Sequence, residues 1–189
     1  MTLVEDRETW LALVHDVQRG DAAAWPAIID RFEDLVMATA VGLCRNLDEA
    51  PDIAQDTFVL AFRHIDDLRE PAAFPAWLLQ LVRTASSRRA RRRRFVAVSI
   101  DDVGNRAEPT ALVATDDQPD QAVLKEIEWA RVRAAVERLA EGERCVVSLH
   151  YLAGLSYAEV AAFLGISVSA AKKRAWSARS TLKELLPMV

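Results

Sequence analysis

Cysteine and histidine are scarce in this chain of 189 residues, with two of the first and three of the second. Cys44 and Cys145 each sit in an apolar helical run, and neither has a second Cys or a His at zinc-ligand spacing. They read as buried free thiols. His15, His64 and His150 are scattered, which argues against a metal or catalytic centre and suits ordinary helix-surface or boundary positions. No catalytic residue, no metal site and no cofactor is expected. Glycine and proline are also few, at 6 and 7 residues, while Ala, Leu, Glu and Arg are common, which favours helix. No apolar stretch reaches the ~20 residues of a membrane-spanning helix. The N-terminal MTLVEDRETW lacks the basic-then-apolar pattern of a secretory leader. The expectation is a cytoplasmic protein in a reducing setting, with no membrane insertion. Apolar residues make up 51%, enough for a packed core.

Helical periodicity dominates what is present. In EDRETWLALVHDVQRG, Trp10, Leu13, Val14 and Val17 share a face, and Gly20 is a natural C-terminal stop. Asp21 can cap the next helix, which carries Ile28, Ile29, Phe32, Leu35 and Val36 on its apolar side. A third helix starts near Pro51, a residue tolerated in a first turn. A fourth runs from about Ala72 into an arginine cluster. The segment RFVAVSI, residues 94–100, comes closest to a strand pattern. The stretch DDVGNRAEPTALVATDDQPDQ, residues 101–121, has Gly, two Pro, several acids and no helical period, so it reads as a flexible acidic linker. The fold class expected is all-α, with two small helical domains. The division is 1–95 for the first, 96–122 for the linker and 123–189 for the second.

Charge is segregated along this layout. The formal net charge is −4, yet residues 88–94 hold six arginines in seven positions. The last twenty residues are basic again, with Lys172, Lys173, Arg174, Arg179 and Lys183. Two cationic patches are joined by an anionic strap, and local field decides phosphate binding.

The C-terminal stretch has the layout of a helix-turn-helix. Ser156 and Glu159 have capping-box spacing. Val160, Ala161 and Leu164 face inward, Gly165 supplies the tight turn, Ile166 plugs the corner and Ser167 caps a second helix. Ala171, Ala175 and Leu182 lie on that helix's inner side, and the small Ala161 and Ala171 allow a close crossing. The outer side shows Ser169, Ala170, Lys173, Arg174 and Ser177, with Lys172 and Trp176 at the edges. Cations there can hold phosphates while small polar groups near the helix start reach base edges. The bland alternative is a solvated, lysine-rich face of an ordinary bundle.

The N-terminal domain has two helices of interest. In one, Ala54, Phe58, Ala61, Phe62 and Ile65 form an apolar face, opposite Asp52, Gln55, Asp56, Val59 and Arg63. In the next, Phe74, Trp77, Leu78, Leu81, Val82 and Ala85 form a buried stripe, opposite Gln80, Arg83, Thr84, Ser87, Arg88 and Arg91. The second polar stripe grows more cationic toward the arginine cluster, as a nucleic-acid surface would.

These residues carry a family resemblance. PDIAQDTFVLAF resembles the D-x-x-Q-[DE]-x-F signature in the second region of bacterial sigma factors. FPAWLLQLVRTASSRRARRRR is similar to the segment that follows it, and GLSYAEVAAFLGISVSAAKKRAWSAR to their fourth region. The matches run in order, with a linker where the family has one, and the size matches the extracytoplasmic-function (ECF) group. The resemblance implies a factor that binds core RNA polymerase, recognises the −10 and −35 promoter elements and initiates transcription. It implies that Asp52, Gln55, Asp56 and Phe58 dock on the clamp helices of the β′ subunit. The segment from Asp66 to Phe74 would capture a base of the −10 element, and Arg83, Thr84, Ser87, Arg88 and Arg91 would line the adjoining DNA surface. Ser167, Ser169, Ala170, Lys172, Lys173, Arg174 and Ser177 would read the −35 element, and the same domain would touch the β flap. An anti-sigma protein joins the candidate partners, its restraint expected in trans. The departures are Thr84 where Asn is usual, and SAAKKRA in place of GTVKSRL, which puts Ala171 and Ala175 where larger residues pack. The loop REPAAFPAW also differs. The competing readings are a stand-alone helix-turn-helix regulator and a degenerate sigma-like domain that sequesters a partner.

Overall fold

Among the described residues, every regular element is helical. The computed structural model describes residues 7–100 and 121–186, with side chains described for 7–93 and 126–186. The α-helices are α1 (Arg7–Gln18), α2 (Trp25–Leu43), α3 (Ala50–His64), α4 (Phe74–Ile100), α5 (Gln121–Glu137), α6 (Glu141–Tyr151), α7 (Tyr157–Leu164) and α8 (Val168–Leu185). Most of the expected linker lies outside the described residues. Residues 94–100, the nearest approach to a strand in sequence, continue α4 as helix. The arginines before them are good helix formers, and an isolated strand would have no partner for its ladder.

Local signals set the helix boundaries. Gly20 ends α1 with φ +90, a backbone state that disfavours side chains. Asp21 then caps a single 3-10 turn, accepting from Ala23 N–H at 2.9 Å, before Pro26 starts α2. Pro51 sits in the first turn of α3, where its missing N–H costs nothing. Two more 3-10 turns, Ile65–Asp67 and Pro71–Ala73, join α3 to α4.

α2 is the hub, packed on α1, α3, α4 and α6. Phe32 and Phe74 are fully buried with ring centroids 5.0 Å apart, and Trp10 meets Phe32 edge-on at 5.9 Å. Burying a side chain of that size stabilises by about 1.5–3 kcal/mol. Ile28, Ile53, Leu78 and Val82 fill the space around them. The second half of α2 is buried nearly all round, at Ala38, Thr39, Ala40 and Gly42. Its one buried hydroxyl, on Thr39, donates to Leu35 O at 2.7 Å, so no polar atom is stranded there.

The all-round burial has a cause in the C-terminal half. α6 lies on α2, and the apolar core continues through Val146, Leu149 and Val160 to Ala171 and Ala175. Ala161 and Ala171 are buried where α7 and α8 cross, as their size anticipated. The alanines that replace larger residues, Ala171 and Ala175, are fully enclosed, so close approach fills the space that bulk fills elsewhere.

Candidate functional site

The helix-turn-helix is built by the local chemistry its sequence announces. Ser156 Oγ accepts from Glu159 N–H at 3.3 Å, and Glu159 Oε2 accepts from Ser156 N–H at 2.8 Å. Gly165 takes φ +66, and Ile166 N–H returns to Ala161 O at 3.0 Å, which closes the end of α7. Ser167 Oγ then accepts from Ala170 N–H at 3.2 Å and starts α8. Ser167, Ser169, Lys172 and Lys173 are exposed on α8, while Ala170 and Ser177 are half-buried. The start of α8 thus offers hydroxyls and ammonium groups to solvent, the set a groove-reading helix uses.

Arg174 departs from this pattern. It was expected on the outer side of α8, but it is half-buried beside Gly142 of α6. There it lines a cleft of about 430 Å³ with Leu43, Arg83, Ser86, Ser87, Glu141 and Cys145. Residues expected on two different DNA surfaces, Arg83 and Ser87 on one and Arg174 on the other, face a common space.

On α4, Arg83, Ser87, Arg88 and Arg91 are exposed, and Thr84 is half-buried with its hydroxyl donated to Gln80 O at 2.8 Å. Two neighbouring arginines are tied inward. Arg89 pairs with Asp52, and Arg93 Nε reaches Glu49 Oε1 at 3.0 Å. The arginine cluster is therefore divided, part neutralised by the start of α3 and part left to solvent.

That pairing splits the expected docking set on α3. Asp52, Gln55 and Asp56 are exposed and Phe58 is half-buried. Asp52 turns to Arg89, and Asp56 lines a groove with Arg63, Arg88, Arg89 and Arg92. Gln55 and Phe58 open on the other side, into an apolar groove with Trp25, Ile29, Val59 and Phe62. Phe62, expected in the buried face of α3, is 57% exposed and rests on Trp25 at 5.4 Å between ring centroids. The buried arc of α3 instead holds Ala50, Ile53, Ala54, Thr57, Leu60 and Ala61. α3 packs against both α2 and α4, which rotates its buried face away from Phe62. The groove residues Trp25, Ile29, Val59 and Phe62 were not foreseen as site residues.

The α3–α4 loop is anchored from outside. Gln18 Nε2 donates to Leu68 O at 2.7 Å and to Ile65 O at 3.3 Å, and the side chains of Leu68 and Phe74 are buried. The segment 66–74 is held at both ends and exposed between them at Arg69 and Glu70.

Arg144 is the other residue that sequence reasoning missed. Its side chain is 3% exposed and meets only backbone carbonyls. Nε donates to Val41 O and Gly42 O, both at 3.1 Å, and Nη1 to Leu139 O at 3.1 Å and Glu137 O at 3.5 Å. Val41, Gly42 and Glu137 lie at the C-terminal ends of α2 and α5, where the helix dipole favours a cation, and Leu139 lies just past α5. A lone arginine inside the apolar run RCVVSLHY was the available signal.

The remaining groups are structural. Burial pushes both the Cys44 and the Cys145 thiol up to about 11. The ring of His150 lies 2.7 Å from Leu155 O and stacks on Tyr157 at 4.2 Å. Trp129 on α5 and Trp176 on α8 are each 67% exposed. No group of His, Cys, Asp and Glu among the described residues could hold a metal ion, and no helix among them is long and apolar enough to cross a membrane.

Comparison with known proteins places both halves of the chain in one family. Residues 28–96 match the family model for sigma-70 region 2, and residues 129–182 match that for sigma-70, region 4. The chain is 36% identical over 141 residues to the RNA polymerase sigma factor CnrH of Cupriavidus metallidurans, covering 73% of each. It is 30% identical over 173 residues to the ECF RNA polymerase sigma-E factor of Escherichia coli, covering 90% of each. A solved structure of CnrH with the cytosolic domain of CnrY aligns with a TM-score of 0.61 at 25% identity, over 93% of this chain and 96% of that one. The chain belongs to the RNA polymerase sigma factors, in the extracytoplasmic-function subfamily.

Proposed function

We propose that this sigma factor docks on core RNA polymerase through α3 and grips promoter DNA through α4 and α8, acting in the cytoplasm without a cofactor. Gln55 and Phe58, with the apolar groove beside them, suit the β′ clamp helices, and Asp52 and Asp56 set the charge at its edge. Arg83, Thr84, Ser87, Arg88 and Arg91 take the −10 side. Ser167, Ser169, Ala170, Lys172, Lys173, Arg174 and Ser177 take the −35 side. The chain divides as 1–95, 96–122 and 123–189, so that the two DNA surfaces stand on separate domains. The observation that carries the reading is α8, whose capped start presents Ser169, Lys172 and Lys173 to solvent behind a completed turn. The CnrH structure contains the cytosolic domain of CnrY. A protein partner that restrains the factor is proposed here by the same likeness.

Run-off transcription tests the reading, using bacterial core polymerase and DNA from upstream of this protein's own gene. A discrete transcript that requires the protein is expected. No transcript together with no binding to core polymerase would return the chain to a helix-turn-helix regulator acting alone.

A further inference from the structure

Several arginines of this chain are answered within the fold. Arg144 meets backbone carbonyls, Arg89 pairs with Asp52, Arg93 with Glu49 and Arg133 with Asp48. Arg83 and Arg174 are not. Both line the cleft of about 430 Å³ between α4, α6 and α8, and neither has a hydrogen bond or an ion pair among the described residues. Arg174 is half-buried, and its guanidinium lies against Gly142. A Cβ built on that glycine would stand 3.2 Å from Nη1 and 3.3 Å from Cζ, so the bare backbone of α6 makes room for the group. A half-buried charge without a partner costs free energy that a counter-charge recovers. The two cations also act on a common point. Burial and Glu141 push the Cys145 thiol up, while Arg144, Arg83 and Arg174 pull it down.

Two hydroxyls add to the donors. Ser86 and Ser87 line the same cleft, and neither Oγ makes a hydrogen bond among the described residues. Glu141 lines it too but pairs with neither arginine, so two guanidiniums face one carboxylate and leave an excess of positive charge. Guanidinium forks beside hydroxyl donors are the set that holds a phosphoryl group. The volume is that of a small-molecule pocket, and a duplex whose major groove alone is about 12 Å wide does not enter it. We infer that this cleft binds a small phosphorylated molecule, its phosphoryl oxygens held between Arg83 and Arg174 with Ser86 and Ser87 donating to them, and an N–H or O–H of its remainder turned to Glu141. The proposed function gives Arg83, Ser87 and Arg174 to promoter DNA, so the ligand and the DNA backbone compete for the same side chains. That competition rests on the sigma reading; the site itself does not.

Isothermal titration of the full chain with inorganic pyrophosphate tests the site. Binding should be saturable, and Arg83→Ala and Arg174→Ala should each weaken it about tenfold or more, as loss of a charge-assisted pair does. Glu141→Gln should tighten it, because a like charge facing the phosphate is gone. Arg92→Ala, in the separate arginine groove between α3 and α4, should leave it unchanged. Absence of binding, or equal affinity in the wild type and both cleft variants, would overturn the proposal, and so would a loss caused by Arg92→Ala alone. Where an alanine variant fails to fold, Arg83→Lys and Arg174→Lys decide. Each keeps the charge but loses the bidentate fork, and should still bind more weakly than the wild type. A short single-stranded oligonucleotide separates a free phosphate compound from the DNA backbone. If it binds through Arg83 and Arg174 while pyrophosphate does not, the cleft serves DNA and the small-molecule site is overturned. Failure of run-off transcription and of core binding would sink the sigma reading and the competition with DNA, with the titration still deciding the site.

Discussion

Arg144 and the two cysteines show how single residues are fixed by what surrounds them. Arg144 keeps its charge in the interior because four carbonyl contacts at two helix ends replace water. Burial outweighs the pull of the Arg144 charge on both thiols, and they stay neutral. Burial holds both near 11, while an unfolded chain has them near the ordinary 9. The unfolded state therefore loses protons first as pH rises. The stabilising contribution of the neutral thiols is present below pH 9 and is lost between 9 and 11. Unfolding free energies from urea titrations across that window should fall, by roughly 2–3 kcal/mol for each thiol at most. The fall should be smaller in a Cys44→Ala, Cys145→Ala chain. An equal fall in both would mean other groups carry it.

At the scale of elements, α3 is a helix with two working sides. Its acids meet the arginines of α4, and its Gln55 and Phe58 open on an apolar groove. Reversing Asp52 and Asp56 would disturb both the pairing and any docking, so Phe62 is the cleaner probe. Phe62→Ala removes a half-exposed ring and should change stability by about 1 kcal/mol or less. Affinity for core polymerase should drop about tenfold or more, as for an aromatic anchor, and can be measured by titrating labelled protein. Unaltered affinity would remove the groove from the docking surface. The same helix shows what could be read beforehand. The polar stripe from Asp52 to Arg63 was legible because it depends on helical period alone. So were the Ser156 box, the Gly165 turn and the Ser167 cap, whose partners lie within a few residues. Phe62 was misread because burial on α3 is set by two neighbours, α2 and α4, whose angles no local pattern encodes. Arg144 was missed because its acceptors Val41 and Gly42 lie about a hundred residues away in the chain.

For the whole molecule, the acidic total conceals a partition. One arginine from each cationic helix, Arg83 of α4 and Arg174 of α8, meets Glu141 at a shared cleft, while further acids lie on α3 and in the acidic stretch before α5. The apolar core is continuous across both halves, so the chain should behave as one packing unit. Its aromatic content is divided far less evenly. Trp10 and Trp25 lie inside the first half, whereas Trp129 and Trp176 of the second half stand in water. The two halves therefore have different colours. Under selective excitation, iodide should extinguish a long-wavelength share of the emission that comes from the second half and leave a bluer, protected remainder from the first. Uniform quenching of all indoles would contradict that arrangement. Whatever covers α5 or α8, be it DNA, polymerase or a restraining protein, would announce itself as a blue shift, with no dye attached to the chain.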